Sequence, residues 1–194
     1  MLLSGRGGTL LMRDRDAYKE KALDLLKELG ATCTITYGGV ARNEKWKEKD
    51  KRNWYDVTLS TPRGEYSFMF WDSIYNTQIT NMTLEQYVKD KYKCELYDLT
   101  YVDKMKASRD LQILKENSIP NEYDVMTSFQ LFDVGTFKDF CDEFGYDTDS
   151  RSAEQIYFAV NDEYKNLCKI FTQDQLEKIA DLDVDYEYEE AEIG

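Results

Sequence analysis

The sequence predicts an α+β fold in which an N-terminal helix, a three-stranded antiparallel sheet, an inserted helical segment and a C-terminal helical unit follow one another. Three observations predict it. Apolar residues recur with helical period over 14–29, three short β-rich runs lie between 32 and 71, and four helical patterns follow Pro120.

Taken in order, residues 1–13 read as a flexible leader. The glycine-rich stretch Ser4–Thr9 within it lacks the preceding strand and the Gly-Lys-Ser/Thr ending of a phosphate loop. From Asp14, the residues Ala22, Leu25, Leu26 and Leu29 fall three and four apart, and Gly30 is placed as a stop. Thr32 to Tyr37 is β-branched and bounded by Gly38-Gly39, so it reads as a strand. Trp54 to Ser60 and Glu65 to Trp71 read as two more, joined by the turn Thr61-Pro62-Arg63-Gly64. These elements form an α/β meander unit over 14–77.

Residues 78–119 are expected to be a helical insertion. Thr83-Leu84-Glu85-Gln86 fits a capping box before a helix carrying Tyr87, Val88 and Tyr92, and a second helix is expected over Ala107 to Leu114. A helical unit follows over 120–182. Its expected helices run from Asn121 to Phe132, from Thr136 to Phe144 before Gly145, from a cap at Asp149 or Ser150 to about Ile170, and onward from the cap Thr172-Gln173-Asp174-Gln175. The third carries the stripe Ile156, Tyr157, Val160, Tyr164, Leu167 and Cys168.

Charge is distributed unevenly over these units. The last 74 residues hold 20 acids and 5 bases, a net of −15, whereas the first 120 hold 18 acids and 20 bases. A dense negative face repels nucleic acid and attracts a cationic protein surface. The expected partner-binding acids are Asp139, Asp142, Glu143, Asp147 and Asp149 in the helical unit, and Asp181, Asp183, Asp185, Glu187, Glu189 and Glu190 toward the acidic tail 183–194. In an extended tail, alternate acids stand about 6 to 7 Å apart, near the phosphate spacing of a nucleic-acid strand. The opposite sign collects between the first two strands. There Lys45, Lys47, Lys49, Lys51 and Arg52 surround Trp46, and the stretch reads first as an exposed hairpin loop, with nucleic-acid contact as the alternative.

Composition excludes several chemistries. With 42% hydrophobic and 14% aromatic residues the chain is not a disordered acidic polymer. It has no histidine, which removes imidazole-based triads and most catalytic zinc sites. Cys33, Cys94, Cys141 and Cys168 form no Cys-x-x-Cys pair and read as small buried apolar residues of a reducing compartment. Asp147-Thr148-Asp149-Ser150-Arg151 begins like a calcium loop but lacks the glycine and the closing Glu, so helix capping is the expected role. No cofactor, metal or membrane span is expected, and a carboxylate-metal nuclease stays as a composition-level alternative. The expected location is the cytoplasm.

Three stretches carry a resemblance. Tyr66–Thr77, Pro120–Val125 and above all Gly135–Arg151 resemble a family of small proteins encoded by phages and integrative elements of bacteria, some of which are anti-CRISPR proteins that block the type II effector nuclease. The similarity covers about residues 53–77 and 120–182, and the shorter relatives lack most of 78–119. It implies a non-enzymatic, stoichiometric inhibitor in a bacterial host, with a CRISPR effector nuclease as partner, with or without its guide RNA. An accessory protein binding another host nucleic-acid-processing or defence protein is the alternative.

Overall fold

The computed structural model describes residues 12–41, 51–131 and 133–182. The expected fold class is present: helices accompany a three-stranded antiparallel sheet of order β1-β2-β3, and the N-terminal helix precedes the sheet. Helix α1 (Met12–Glu28) begins two residues before the expected start, and its buried residues Tyr18, Ala22 and Leu26, with Leu29 just past its end, keep a spacing of three and four. Gly30 stops it with φ +65, a conformation that costs other residues strain.

The strands are β1 (Thr32–Ala41), β2 (Arg52–Thr61) and β3 (Gly64–Trp71). β1 does not end at Gly38-Gly39 as expected but runs through both glycines. The reason is the neighbouring strand, because the Trp54 indole lies over residue 38, where only a glycine leaves room. Along β2, buried Asn53, Tyr55, Val57 and Leu59 alternate with more exposed residues, the period of a sheet with one covered face.

Helix α2 (Ile74–Thr80) was not expected: the apolar residues Ile74 and Ile79 are too few to show a period. It crosses the expected boundary at 77/78. Helix α3 (Leu84–Tyr92) opens with the expected capping box between Thr83 and Gln86. A 3-10 turn (Leu96–Asp98) precedes α4 (Tyr101–Glu116), which starts six residues earlier than expected because Thr100 caps it through the Asp103 backbone N–H.

The expected helix from Asn121 to Phe132 is only the single turn α5 (Glu122–Met126). Thr127 and Ser128 turn their hydroxyls back onto the carbonyls of Tyr123 and Val125, and the chain leaves helical geometry there. Helices α6 (Phe137–Phe144), α7 (Arg151–Ile170) and α8 (173–182) then match the expected order.

The described residues form two compact units, and all three strands contribute to both. Of the described residues, one unit takes 12–17, 35–41, 51–56 and 69–121. In it α3 and α4 close over Tyr87, Val88, Ala107 and Leu111, flanked by Leu84, Leu99 and Leu114. Asn53 is its polar anchor: its backbone N–H donates to Thr77 Oγ1 at 2.9 Å, its amide donates to Thr80 Oγ1 at 2.8 Å, and its side-chain oxygen accepts from the Asn81 amide at 3.1 Å. A buried amide must be satisfied in this way or it destabilises the fold.

The other unit takes 18–34, 57–68, 122–131 and 133–182. Its buried side chains include Leu26, Val57, Leu59, Met126, Leu167, Phe171, Leu176 and Ile179, each contributing about 1.5–3 kcal/mol through removal from water. Tyr18 packs on Tyr123 with ring centroids 5.0 Å apart, and Phe68 meets Phe129 edge-on at 5.5 Å. Thr61 donates to the Ile170 carbonyl at 2.9 Å, tying the β2 end to the last residue of α7. Among the described residues no helix is long and apolar enough to cross a membrane.

Candidate functional site

The acidic face is built on the connection between α6 and α7. Thr136 caps α6 by accepting from the Asp139 backbone N–H at 3.2 Å, while the Asp139 carboxylate accepts from the Thr136 N–H at 3.0 Å and from its hydroxyl at 2.6 Å. These bonds, the hydroxyl first, hold the Asp139 carboxyl below its ordinary range. Phe140 and Cys141 turn inward and join Val134 and Ala153 in a small core that Phe137, Tyr146, Ile156, Tyr157 and Val160 flank. Burial pushes the Cys141 thiol up.

Gly145 ends α6 with φ +72, where a glycine costs least. The chain then turns so that Ser150 donates its backbone N–H to the Asp147 carbonyl at 3.1 Å, and the Ser150 hydroxyl caps α7 at Ala153. Ser150, rather than Asp149, is therefore the cap. The Tyr157 hydroxyl reaches back from α7 to the Gly135 carbonyl at 2.9 Å and pins the start of α6. Most of the Gly135–Arg151 stretch is thus structural. Gly135, Thr136, Asp139, Phe140, Cys141, Gly145 and Ser150 set the two helices against each other.

What remains for a partner is the acids that this scaffold presents. Asp142 is exposed and holds Lys138 at 2.7 Å across one helical turn, which raises the pKa of Lys138. Glu143, Asp147 and Asp149 are exposed, and so is Asp181 near the end of α8. Asp139 is exposed as well but spends its oxygens on the cap, so it serves the fold first. Glu163 on α7 differs from all of these. It is half-buried, accepts from the Gln130 backbone N–H at 3.3 Å, and burial raises its pKa. Asp183, Asp185, Glu187, Glu189 and Glu190 lie outside the described residues, as do Lys45, Trp46, Lys47 and Lys49. Lys51 and Arg52 stand at the entrance to β2.

Two surfaces escaped the sequence reading. In and before α4, Tyr97, Tyr101 and Val102 are 78%, 76% and 74% exposed, and Met105 one turn on is also exposed. The signal was present, because α4 carries apolar residues off the Ala107, Leu111 and Leu114 stripe. On β3, Met69 and Trp71 face outward, alternating with the inward Phe68 and Phe70, which alternation along the strand would have flagged.

All four cysteines are free thiols. Only Cys141 is buried, and the other three are half-buried rather than fully inside as expected. Burial, helped by nearby Glu122, pushes the Cys33 thiol up to about 12, far from a reactive thiolate. Among the described residues no group of three acids or thiols is placed to hold a metal ion. The chain matches no protein-family model, and no curated protein or solved structure matches it significantly.

Proposed function

We propose that this chain is an anti-CRISPR protein, a stoichiometric inhibitor that binds a type II CRISPR effector nuclease and blocks nucleic-acid binding or cleavage. The observation that carries the reading is the concentration of charge. Twenty of the 38 acids fall in the last 74 residues, and Asp142, Glu143, Asp147 and Asp149 stand exposed around one tight helix connection. Such effectors hold guide and target in positively charged channels, so an acidic protein surface competes for the same cations. The family-like stretch supplies the rigid mount and its exposed acids supply the attraction. In the other compact unit, Tyr97, Tyr101, Val102 and Met105 offer a separate apolar surface of the kind that carries interface energy.

The test is co-elution of the purified chain with a panel of type II effectors, with and without guide RNA, followed by target cleavage. A one-to-one complex and loss of cleavage are expected with at least one effector, both weakened by salt and by the triple variant E143K/D147K/D149K. Absence of a complex across the panel overturns the reading. A pull-down from host lysate that instead returns another nucleic-acid-processing or defence protein replaces it with the accessory-protein alternative. Metal-dependent nuclease activity lost on a single Asp change would overturn the non-enzymatic assignment.

A further inference from the structure

We infer that the outward face of α4 is a homodimer interface, in which two copies of this chain pair their α4 helices antiparallel about a two-fold axis. The inference stands apart from the inhibitor reading, because it uses the other compact unit and none of the acids of the α6–α7 connection.

Helical geometry sets the face. Ala107, Leu111 and Leu114 turn one side of α4 inward, onto Tyr87 and Val88 of α3. At about 100° per residue, Tyr101, Val102, Met105, Ser108, Arg109 and Gln112 fall on the opposite side, and all six are exposed. Tyr101 and Met105 stand one turn apart, and Tyr97 precedes them on the 3-10 turn that leads into the helix. Tyr97, Tyr101 and Val102 are the three most exposed large apolar side chains among the described residues.

The order of charges along this face selects a second copy as its occupant. Asp98 is exposed before the apolar strip and Arg109 is exposed after it. A face with an acid at one end and a base at the other is complementary to itself reversed. In the register that sets Tyr101 against Met105 of the second copy, Arg109 of each copy reaches the level of Tyr97 and Asp98 of the other. It gains there an aromatic face and a carboxylate, while the two Arg109 residues stay about 18 Å apart along the axis. Reversed helices also bring opposite ends of their macrodipoles together.

Net charge and area agree with that occupant. The described residues of the unit that carries α4 hold 11 bases and 11 acids, so copies meeting through it escape the repulsion that the acid-rich unit would impose. Tyrosine, methionine and arginine are the residue types that protein interfaces concentrate, and here they are Tyr97, Tyr101, Met105 and Arg109. A tyrosine offers about 150–250 Å², so the four tyrosines of two copies, with their Val102 and Met105, supply roughly 1,000 Å², the area at which a specific interface begins.

The test is sedimentation of the full chain at roughly 1–100 μM, with light scattering for mass. Expected is a reversible rise from 22.9 kDa to twice that mass within this range, with the dissociation constant raised at least about tenfold in Tyr101→Ser and in Arg109→Asp. Asp98→Lys should weaken the dimer as well. An equimolar mixture of Asp98→Lys and Arg109→Asp should dimerise again, because in the antiparallel register each variant supplies the charge that the other lacks. Melting temperatures check that each variant folds, and Tyr101→Ser with Arg109→Asp decide alone if Asp98→Lys does not. A wild type that stays monomeric throughout overturns the proposal. So does a dimer indifferent to both Tyr101→Ser and Arg109→Asp, or a mixture of the two folded charge variants that associates no better than either alone.

Discussion

The indole of Trp54 on β2 occupies the space that any side chain on Gly38 of β1 would need, with three of its ring atoms within 2.4 Å of the position of a β-carbon there. Residue 38 is thus a glycine for a tertiary reason. Overpacking of this kind destabilises by about 1–3 kcal/mol. Gly38→Ala should therefore lower the melting temperature by roughly 2–12 °C for a chain of this size, measured by circular dichroism. In a Trp54→Ala background the same substitution should cost almost nothing, because the two residues share one space. Equal costs in both backgrounds would show that the indole is not seated there.

Asn53 connects β2 to α2 through the Thr80 hydroxyl and the Asn81 amide. Asn53→Ala removes two partly buried side-chain hydrogen bonds, each worth about 0.5–1.5 kcal/mol, a loss of about 1–3 kcal/mol together. A lower urea midpoint with an unchanged slope is expected, and an unchanged midpoint would remove this anchor from the account.

The Thr136–Asp139 capping box predicts a pH effect. The folded-state pKa of Asp139 is depressed below 3.8, so its stabilising contribution is complete above the ordinary carboxylate value and is lost as pH falls through the folded value. Thr136→Ala should lower the urea midpoint at pH 7, and that difference should shrink below pH 3.8, as followed by denaturant titration at several pH values.

Glu163 carries the opposite sign. Burial raises its folded-state pKa above 4.5, so the folded protein binds this proton more readily than the unfolded chain, and stability falls as pH rises from 4.5 through the raised value. Glu163→Gln keeps an oxygen for the Gln130 N–H and removes the buried charge. It should melt higher than the wild type at pH 7, with the gain vanishing below pH 4.5; a lower melting temperature at pH 7 would refute the assignment.

Where a signal is local, the sequence is a reliable guide to these elements. The capping boxes at Thr83–Gln86 and Thr136–Asp139 and the hydroxyl cap at Ser150 each lie within four residues, so α3, α6 and α7 start where the residues say. Expectation failed where a distant partner decides, and also at two local sites, the Thr100 cap before α4 and the Thr127 and Ser128 hydroxyls after α5. β1 continues through Gly38 and Gly39 because Trp54 covers them, and α2 is held by Asn53, more than twenty residues earlier. The acids of the candidate site were all visible in the sequence, but their division of labour was not. Only the fold shows Asp139 committed to a cap and Glu163 turned inward, while Glu143, Asp147 and Asp149 stay exposed.

By itself the sequence determined the fold class, the order of the helices other than α2 and the acidic character of the C-terminal half, because periodicity, capping and net charge depend on neighbours along the chain. Only the tertiary structure decided which charges are available and which aromatic residues face solvent. Those properties depend on what packs across from each residue, so Trp54 and Trp71, ordinary strand residues in sequence, share one row only once β2 and β3 are paired.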